Sequence, residues 1–171
     1  MTATPTITHA TPVGPLTLAA SESGLTRCTS RPARVPANGA GEASPSARGW
    51  LDLARRELDD YFAGRLRDFT VAVDLHRVGA LHRQVLAGLA RVGYGETITY
   101  GALAAAVGLT DAGPRQVGGA MARNPVLIIV PCHRVLGAGG TLVGYAGGLT
   151  AKRRLLDLES HDRTLQLDLA L

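Results

Sequence analysis

The segment Asn124-Pro125-Val126-Leu127-Ile128-Ile129-Val130-Pro131-Cys132-His133-Arg134-Val135 constrains this chain more than any other. Its five branched apolar residues, Val126 to Val130, are too few for a helix and read as a buried strand. Pro131 lacks the amide hydrogen a ladder needs, so the strand should end there. Cys132 is then presented at the rim of a hydrophobic core, with His133 directly beside it. The only other cysteine is Cys28, so there is no disulfide framework. A free thiol of this kind fits a reducing, cytoplasmic compartment.

The rest of the chain divides into two parts. At 171 residues it can bury a core as one domain or two small ones. No apolar run approaches the roughly 20 residues that span a bilayer, and the opening Met1-Thr2-Ala3-Thr4-Pro5 does not read as a secretory signal. Residues 12–29 read as a hairpin, with Pro12 to Ala19 as one strand, Ser23-Gly24 as the turn and Leu25 to Cys28 as the return. Residues 30–49 are rich in Pro, Ala, Gly, Ser and Arg and read as a flexible loop. Trp50 to Phe62 has helical spacing and ends at Gly64. Phe69 to Leu75 alternates like a strand. These place an N-terminal α/β domain at 1–76, a second domain at 77–160 and a tail at 161–171.

The second part reads as helical. Leu81 to Val92 carries Leu81, Val85, Leu86 and Leu89 on one face. Tyr94-Gly95-Glu96 is a turn. Thr99 is an N-cap for a helix from Tyr100 to Val107, stopped by Gly108. Pro114 suits the first turn of another helix running through Ala122. Two short helices joined by a short, glycine-bearing turn make a helix-turn-helix pattern. Lys152 to Glu159 reads as a last helix, with Leu155, Leu156 and Leu158 inward. The overall class is α+β.

Several constellations could carry chemistry. The thiolate is the reactive form of cysteine, and an adjacent histidine can take its proton or stabilise the anion. The pair Cys132-His133 alone is more often a buried structural thiol than a catalytic one. Gly118, Gly119, Ala120 and Ala122 line the second short helix, although each helical glycine costs up to about 1 kcal/mol against alanine. Either the helix packs tightly inside the fold, or it enters a narrow groove on a partner, with Arg115 facing that partner. Gly137-Ala138-Gly139-Gly140 and Gly144-Tyr145-Ala146-Gly147-Gly148 read as a loop that wraps a site and offers backbone N–H groups. Charge is uneven: residues 1–75 hold eight Arg against eight acids, whereas residues 76–171 hold ten Lys and Arg against six. That excess suits a polyanion. It is also what an Arg-rich proteome yields, for the chain has seventeen Arg and one Lys. No zinc-ligand spacing surrounds Cys132, and no metal or other cofactor is expected.

Taken together, these residues resemble the O6-alkylguanine-DNA alkyltransferases. The match is carried by Tyr94-Gly95-Glu96-Thr97 with Tyr100-Gly101, by Arg115-Gln116-Val117-Gly118-Gly119-Ala120, and by Asn124-Pro125. Val130-Pro131-Cys132-His133-Arg134-Val135 and Gly144 to Leu149, leading to Lys152 and Glu159, complete it. It is strong over residues 81–160, and Pro12-Val13-Gly14-Pro15-Leu16 resembles the family's opening strand. The resemblance implies a small ribonuclease H-like β-sheet domain with a helix, then a mainly α domain with a winged helix-turn-helix. It implies direct-reversal repair: Cys132 would accept an alkyl group from O6 of guanine, and from O4 of thymine, once and irreversibly, after the base is flipped out.

The resemblance also assigns roles. His133, through a water, and Glu159 would generate the thiolate. Asn124 would brace the turn before the active-site strand. Tyr100 would assist base extrusion, and Arg115 would fill the vacated stack. Gly118, Gly119, Ala120 and Arg123 would contact DNA. The pocket would be formed by Met121, Val135, Tyr145, Ala146 and Gly147, with the carbonyls of Cys132 and Val135 and the N–H of Ala146 reading the guanine edge. The partner would be double-stranded DNA, entered from the minor groove with little sequence preference and clear salt dependence. The protein would be a monomer in solution, with cooperative assembly on DNA left open.

This chain departs from the family pattern at three places. Leu81 and Leu86 stand where Phe and Trp are usual, and both are expected to be core swaps. The segment Thr110 to Pro114 is one residue longer than usual. Cys28, His76 and His82 do not match the zinc site some relatives carry, and Cys28 reads as a buried hydrophobe. A binding-only relative of the alkyltransferases is the main alternative, but such proteins carry Trp in place of the nucleophile. A cysteine hydrolase would have no need for the helix-turn-helix.

Overall fold

A computed structural model describes residues 4–32, 43–110 and 112–169, with side chains described as far as residue 161. Half of the expected flexible loop, residues 33–42, and the last two residues of the expected tail lie outside the described residues. The chain separates into two compact units, Met1–His76 and Arg77–Leu171.

The first unit is an antiparallel meander with a helix laid on it. Strands β1 (Thr6–His9), β2 (Leu16–Ala20) and β3 (Leu25–Thr29) pair in that order. The hairpin was legible, whereas β1 was not, because its Thr-Ile-Thr-His run is short and half exposed. Helix α1 (Pro45–Phe62) starts earlier than its apolar face suggests. The Ser44 hydroxyl accepts from the Ala47 amide and Pro45 occupies the first turn, a cap-and-proline start. Its buried face, Ala47, Leu51, Ala54, Leu58 and Tyr61, packs on β2 and β3. Each large side chain buried there contributes about 1.5–3 kcal/mol relative to exposure. Cys28 is fully buried in this core.

The expected strand Phe69 to Leu75 is not one. Only Val73 bridges β3, at Leu25. The amides of Thr70 and Val71 are instead given to the buried carboxylate of Glu57 on α1, each at 3.0 Å. Amides committed to a side chain cannot build a ladder, so the segment crosses the sheet as a tethered loop.

The second unit is mainly helical. Helix α2 (Ala80–Leu89) buries Val85, Leu86 and Leu89. Leu86 is a core residue, but Leu81 is 42% exposed, so the expectation that it is a core swap is corrected. Helix α3 (Tyr100–Ala106) begins where Thr99 was expected to cap it, with Thr99 Oγ1 accepting from the Ala102 amide at 3.1 Å. Helix α4 (Gly113–Ala122) follows and packs closely on α3. A β-carbon on Gly113 would lie 2.8 Å from that of Ala104, which is why the turn between the helices needs a glycine there. Strands β4 (Ile98–Thr99) and β5 (Val135–Leu136) form a two-residue parallel ladder. Helix α5 (Leu149–Leu169) starts before Lys152 and runs well past Glu159, so most of the expected tail is helical. No helix among the described residues is long and apolar enough to cross a membrane.

The run Val126 to Val130 is buried except at the half-buried Ile129, but it is a loop and not a strand. Asn124 explains why. Its Oδ1 accepts from the Val126 amide at 3.0 Å and its Nδ2 donates to the Val130 carbonyl at 2.9 Å. An extended run would separate residues 126 and 130 by about 13 Å, too far for one amide to reach both. The chain closes on itself instead, with Val130 N–H donating to Val126 O and Ile129 N–H to Leu127 O. Ile128 takes φ of 71°, a conformation a β-branched residue rarely adopts.

Candidate active site

The loop delivers the chain into a single 3₁₀ turn, Cys132–Arg134. Cys132 is 3% exposed and His133 is fully buried. The thiol is therefore covered, and not merely placed at a rim. Burial pushes the thiol up to about 11, partly offset by Asn124, by the charge of Lys152 and by its own backbone. A buried thiol of this kind needs a base.

That base is organised from α5. Glu159 could have been a solvated residue, but it is fully buried and its Oε1 lies 2.8 Å from His133 Nε2. An ionised carboxylate only accepts, so Nε2 carries the hydrogen and Nδ1 keeps its lone pair. Among the described residues Nδ1 is buried without a hydrogen-bond partner. Burial lowers the His133 pKa and so favours the neutral ring, against the opposing pull of Glu159. Burial raises the Glu159 carboxyl, but hydrogen bonds and charge from His133 and Arg134 outweigh it and bring the group down to about 2. The site is thus a buried thiol, a neutral imidazole with one open nitrogen, and an ionised carboxylate behind it.

Two buried cations escaped sequence reasoning. Arg134 reaches Glu159 with Nε at 2.9 Å and Nη2 at 2.9 Å, and donates Nη1 to the Val92 carbonyl at 2.6 Å. Lys152 is fully buried and donates to the carbonyls of Val135 at 2.6 Å and Val143 at 2.7 Å. Burial lowers its pKa, while Cys132 pulls it up. One signal could have found it: in a chain with seventeen Arg, the single Lys stands in the last helix behind the cysteine loop.

The other expected residues fall into two groups. Met121, Val135 and Asn124 are buried, and Tyr145 turns its ring edge toward His133 at 6.5 Å between centroids. A β-carbon on Gly147 would come within 2.6 Å of the Tyr145 ring, so the glycine makes room for that side chain. Ala146 is exposed. Tyr100 is half buried, and burial together with Cys132 raises its phenol. Arg115 and Arg123 are exposed, Arg115 in the first turn of α4 and Arg123 just past its end.

Gly118 settles which reading of the small residues applies to it. A β-carbon there would meet nothing within 4 Å, so internal packing does not require that glycine. Ala120 is different. It is 2% exposed and its carbonyl accepts from His82 at 2.9 Å. Its side chain belongs to the core. Among the described residues no three His, Cys, Asp or Glu side chains cluster as a metal site.

Comparison with known proteins agrees with this architecture unit by unit. Residues 6–75 match the profile of the 6-O-methylguanine DNA methyltransferase ribonuclease-like domain, and residues 80–161 that of the DNA binding domain of the same family. The methylated-DNA–protein-cysteine methyltransferase of Mycobacterium leprae is 43% identical, covering 92% of this chain and 93% of its own. The protein of that name from Methanosarcina acetivorans is 40% identical over 86% of this chain and 93% of its own. Among solved structures, that of Mycobacterium tuberculosis OGT in complex with DNA is similar with a TM-score of 0.78 and 40% identity. It covers 91% of this chain and 92% of the other.

Proposed function

The chain belongs to the 6-O-methylguanine DNA methyltransferase family, and from that membership we propose that it is a direct-reversal repair protein acting on alkylated guanine in DNA. Cys132 is the acceptor. Its sulfur attacks the alkyl carbon in line with the O6–carbon bond. The S–C bond forms, the O6–C bond breaks, and the bonding electrons leave with guanine, which takes up one proton. The thiol proton passes through a water to His133 Nδ1, while Glu159 supports the ring from Nε2. A thioether is not hydrolysed in water, so each molecule acts once. The same displacement serves O4 of alkylated thymine.

The observation that carries this reading is the open, buried Nδ1 of His133 beside a buried thiol. A neutral imidazole with its other nitrogen engaged by a carboxylate is a base, and the proton that needs moving is the one on Cys132. The same feature disfavours a protein that only binds lesions, which has no use for a proton acceptor there.

Reaching a base inside a duplex means flipping it out, at a cost of a few kcal/mol. Arg115 offsets this by filling the gap, and Tyr100 assists the extrusion. The open backbone at Gly118 lets α4 lie close in the minor groove, and Gly119 leaves room for the Arg123 guanidinium on the same helix; contacts to the phosphodiester backbone give affinity with little sequence preference. Arg123 adds a phosphate contact, and Ala120 contributes through its backbone. Met121, Val135, Tyr145, Ala146 and Gly147 line the pocket, with the Ala146 N–H and the carbonyls of Cys132 and Val135 reading the guanine edge. The protein works as a monomer in the cytoplasm.

The test is intact mass spectrometry after incubation with duplex DNA carrying one O6-methylguanine. One methyl gained on Cys132, with guanine restored and no more than one turnover, is the expected result. Binding without a mass change, or repeated turnover, would overturn the proposal.

A further inference from the structure

Arg134 occupies a position that ordinary stability does not explain. It is 6% exposed and lies one residue from His133 in the same 3₁₀ turn. Two consecutive side chains of that turn converge on one carboxylate. Glu159 Oε1 receives His133 Nε2 and Arg134 Nη2, while Oε2 receives Arg134 Nε at 2.9 Å and the Gly95 amide at 3.1 Å. The guanidinium is itself anchored by the Val92 carbonyl and lies over the Tyr94 ring, 5.9 Å from its centroid. Burying an ion pair removes two charges from water, and such pairs are often no more stable than an apolar replacement. Here the pair sits on the one acceptor that selects the histidine tautomer.

We propose that Arg134 is a positioning residue for alkyl transfer. Its fork holds the Glu159 carboxylate in the orientation that receives the His133 Nε2 hydrogen, and so fixes which imidazole nitrogen is left for the thiol. A planar guanidinium gripping both oxygens prevents rotation about the terminal carboxylate bond, which a single point charge does not. The arrangement works on His133 without touching the thiol or the base. This inference rests on the alkyl-transfer reading, so methylation of Cys132 in the unaltered protein is measured alongside. If the unaltered protein fails, that reading falls, whereas an effect confined to the variants judges Arg134.

The charged and titratable groups around the relay are His133 and Arg134 on Glu159 itself, Cys132 and Lys152 next, and Tyr94 against the guanidinium. Arg134→Met removes one of the two side-chain partners that keep Glu159 ionised. The single-turnover rate on O6-methylguanine duplex should fall by about tenfold or more at neutral pH, a general-base scale of effect. The acid limb of the rate profile should move to higher pH, because a less supported carboxylate protonates sooner. Arg134→Lys keeps the charge and should return the acid limb most of the way. In a Glu159→Gln background the Arg134 substitution should cost nothing further, as expected of two residues acting through one contact. An unchanged rate and profile in Arg134→Met, or losses that multiply in the double variant, would overturn the proposal. Should Arg134→Met fail to fold, Arg134→Lys answers the same question. A rate loss that disappears in the Glu159→Gln background supports it, and one that persists overturns it.

Discussion

Glu159 and Asn124 each satisfy more than one partner, and what they do follows from that. Glu159 is held near a pKa of 2 in the fold, against an ordinary value of 4.5. A carboxyl whose pKa is lowered by folding stabilises the fold above its unfolded value and loses that contribution as pH falls through the folded one. Thermal midpoints measured from pH 5 downward should therefore drop between roughly pH 4.5 and 2, and Glu159→Gln should flatten that slope. Asn124 is a different case, since its amide meets two main-chain groups at once. Asn124→Ala strands the buried Val126 amide, at about 1–3 kcal/mol, and leaves the Val130 carbonyl with the Cys132 amide alone. Chemical denaturation should show that loss, and the alkyl-transfer rate should fall with it. A stable variant with full activity would mean that the loop holds its shape without the amide.

At the scale of elements, glycine substitutions separate fold from partner. Gly118→Ala on α4 adds a β-carbon that meets nothing inside the protein, so the helix should gain up to about 1 kcal/mol of stability. Its DNA affinity should fall if that face enters the groove as proposed, because the added methyl would stand between them. Gly113→Ala should do the reverse, losing stability against Ala104. Denaturant midpoints and fluorescence anisotropy on a short duplex distinguish the two, and a Gly118→Ala variant that binds DNA normally would refute the groove role of that face. The bounds of α3 and α4 were legible to within a residue because their signals are local: Thr99 caps, Gly108 stops, Pro114 lies in the first turn. So was the hairpin through Ser23-Gly24. What escaped is what depends on distant partners. The apolar run before Pro131 carries a strand pattern, yet one asparagine bends it into a loop. Phe69 to Leu75 alternates, yet Glu57 takes its amides. Arg134 and Lys152 look like surface charges until the fold buries them, and Glu159 gave no sign of which way it faced. The cysteine, histidine, Tyr100 and Arg115 were legible only as members of an ordered set, since none of them alone outweighs a structural explanation.

For the whole molecule, the charge surplus lies in residues 76–171, the part that carries the helix pair and the thiol. Binding through phosphates releases condensed counterions, so affinity should fall steeply with salt. If roughly four phosphates are neutralised, each doubling of salt costs about tenfold in affinity. Titrations on methylated and unmodified duplexes at several salt concentrations should give nearly parallel slopes, because the proposed reading of the lesion by the pocket adds no phosphate contact. Slopes near zero would place the contact elsewhere than on the backbone.

The double grip of Asn124 also works as a ruler. One short amide measures the distance between Val126 and Val130, and Pro131 and Cys132 follow at once, so the count of residues from asparagine to thiol is part of the chemistry. Side chains along that stretch can be exchanged for others of similar bulk. Its length cannot change: one residue more or fewer would leave the amide holding the wrong carbonyl and turn the sulfur away from its base.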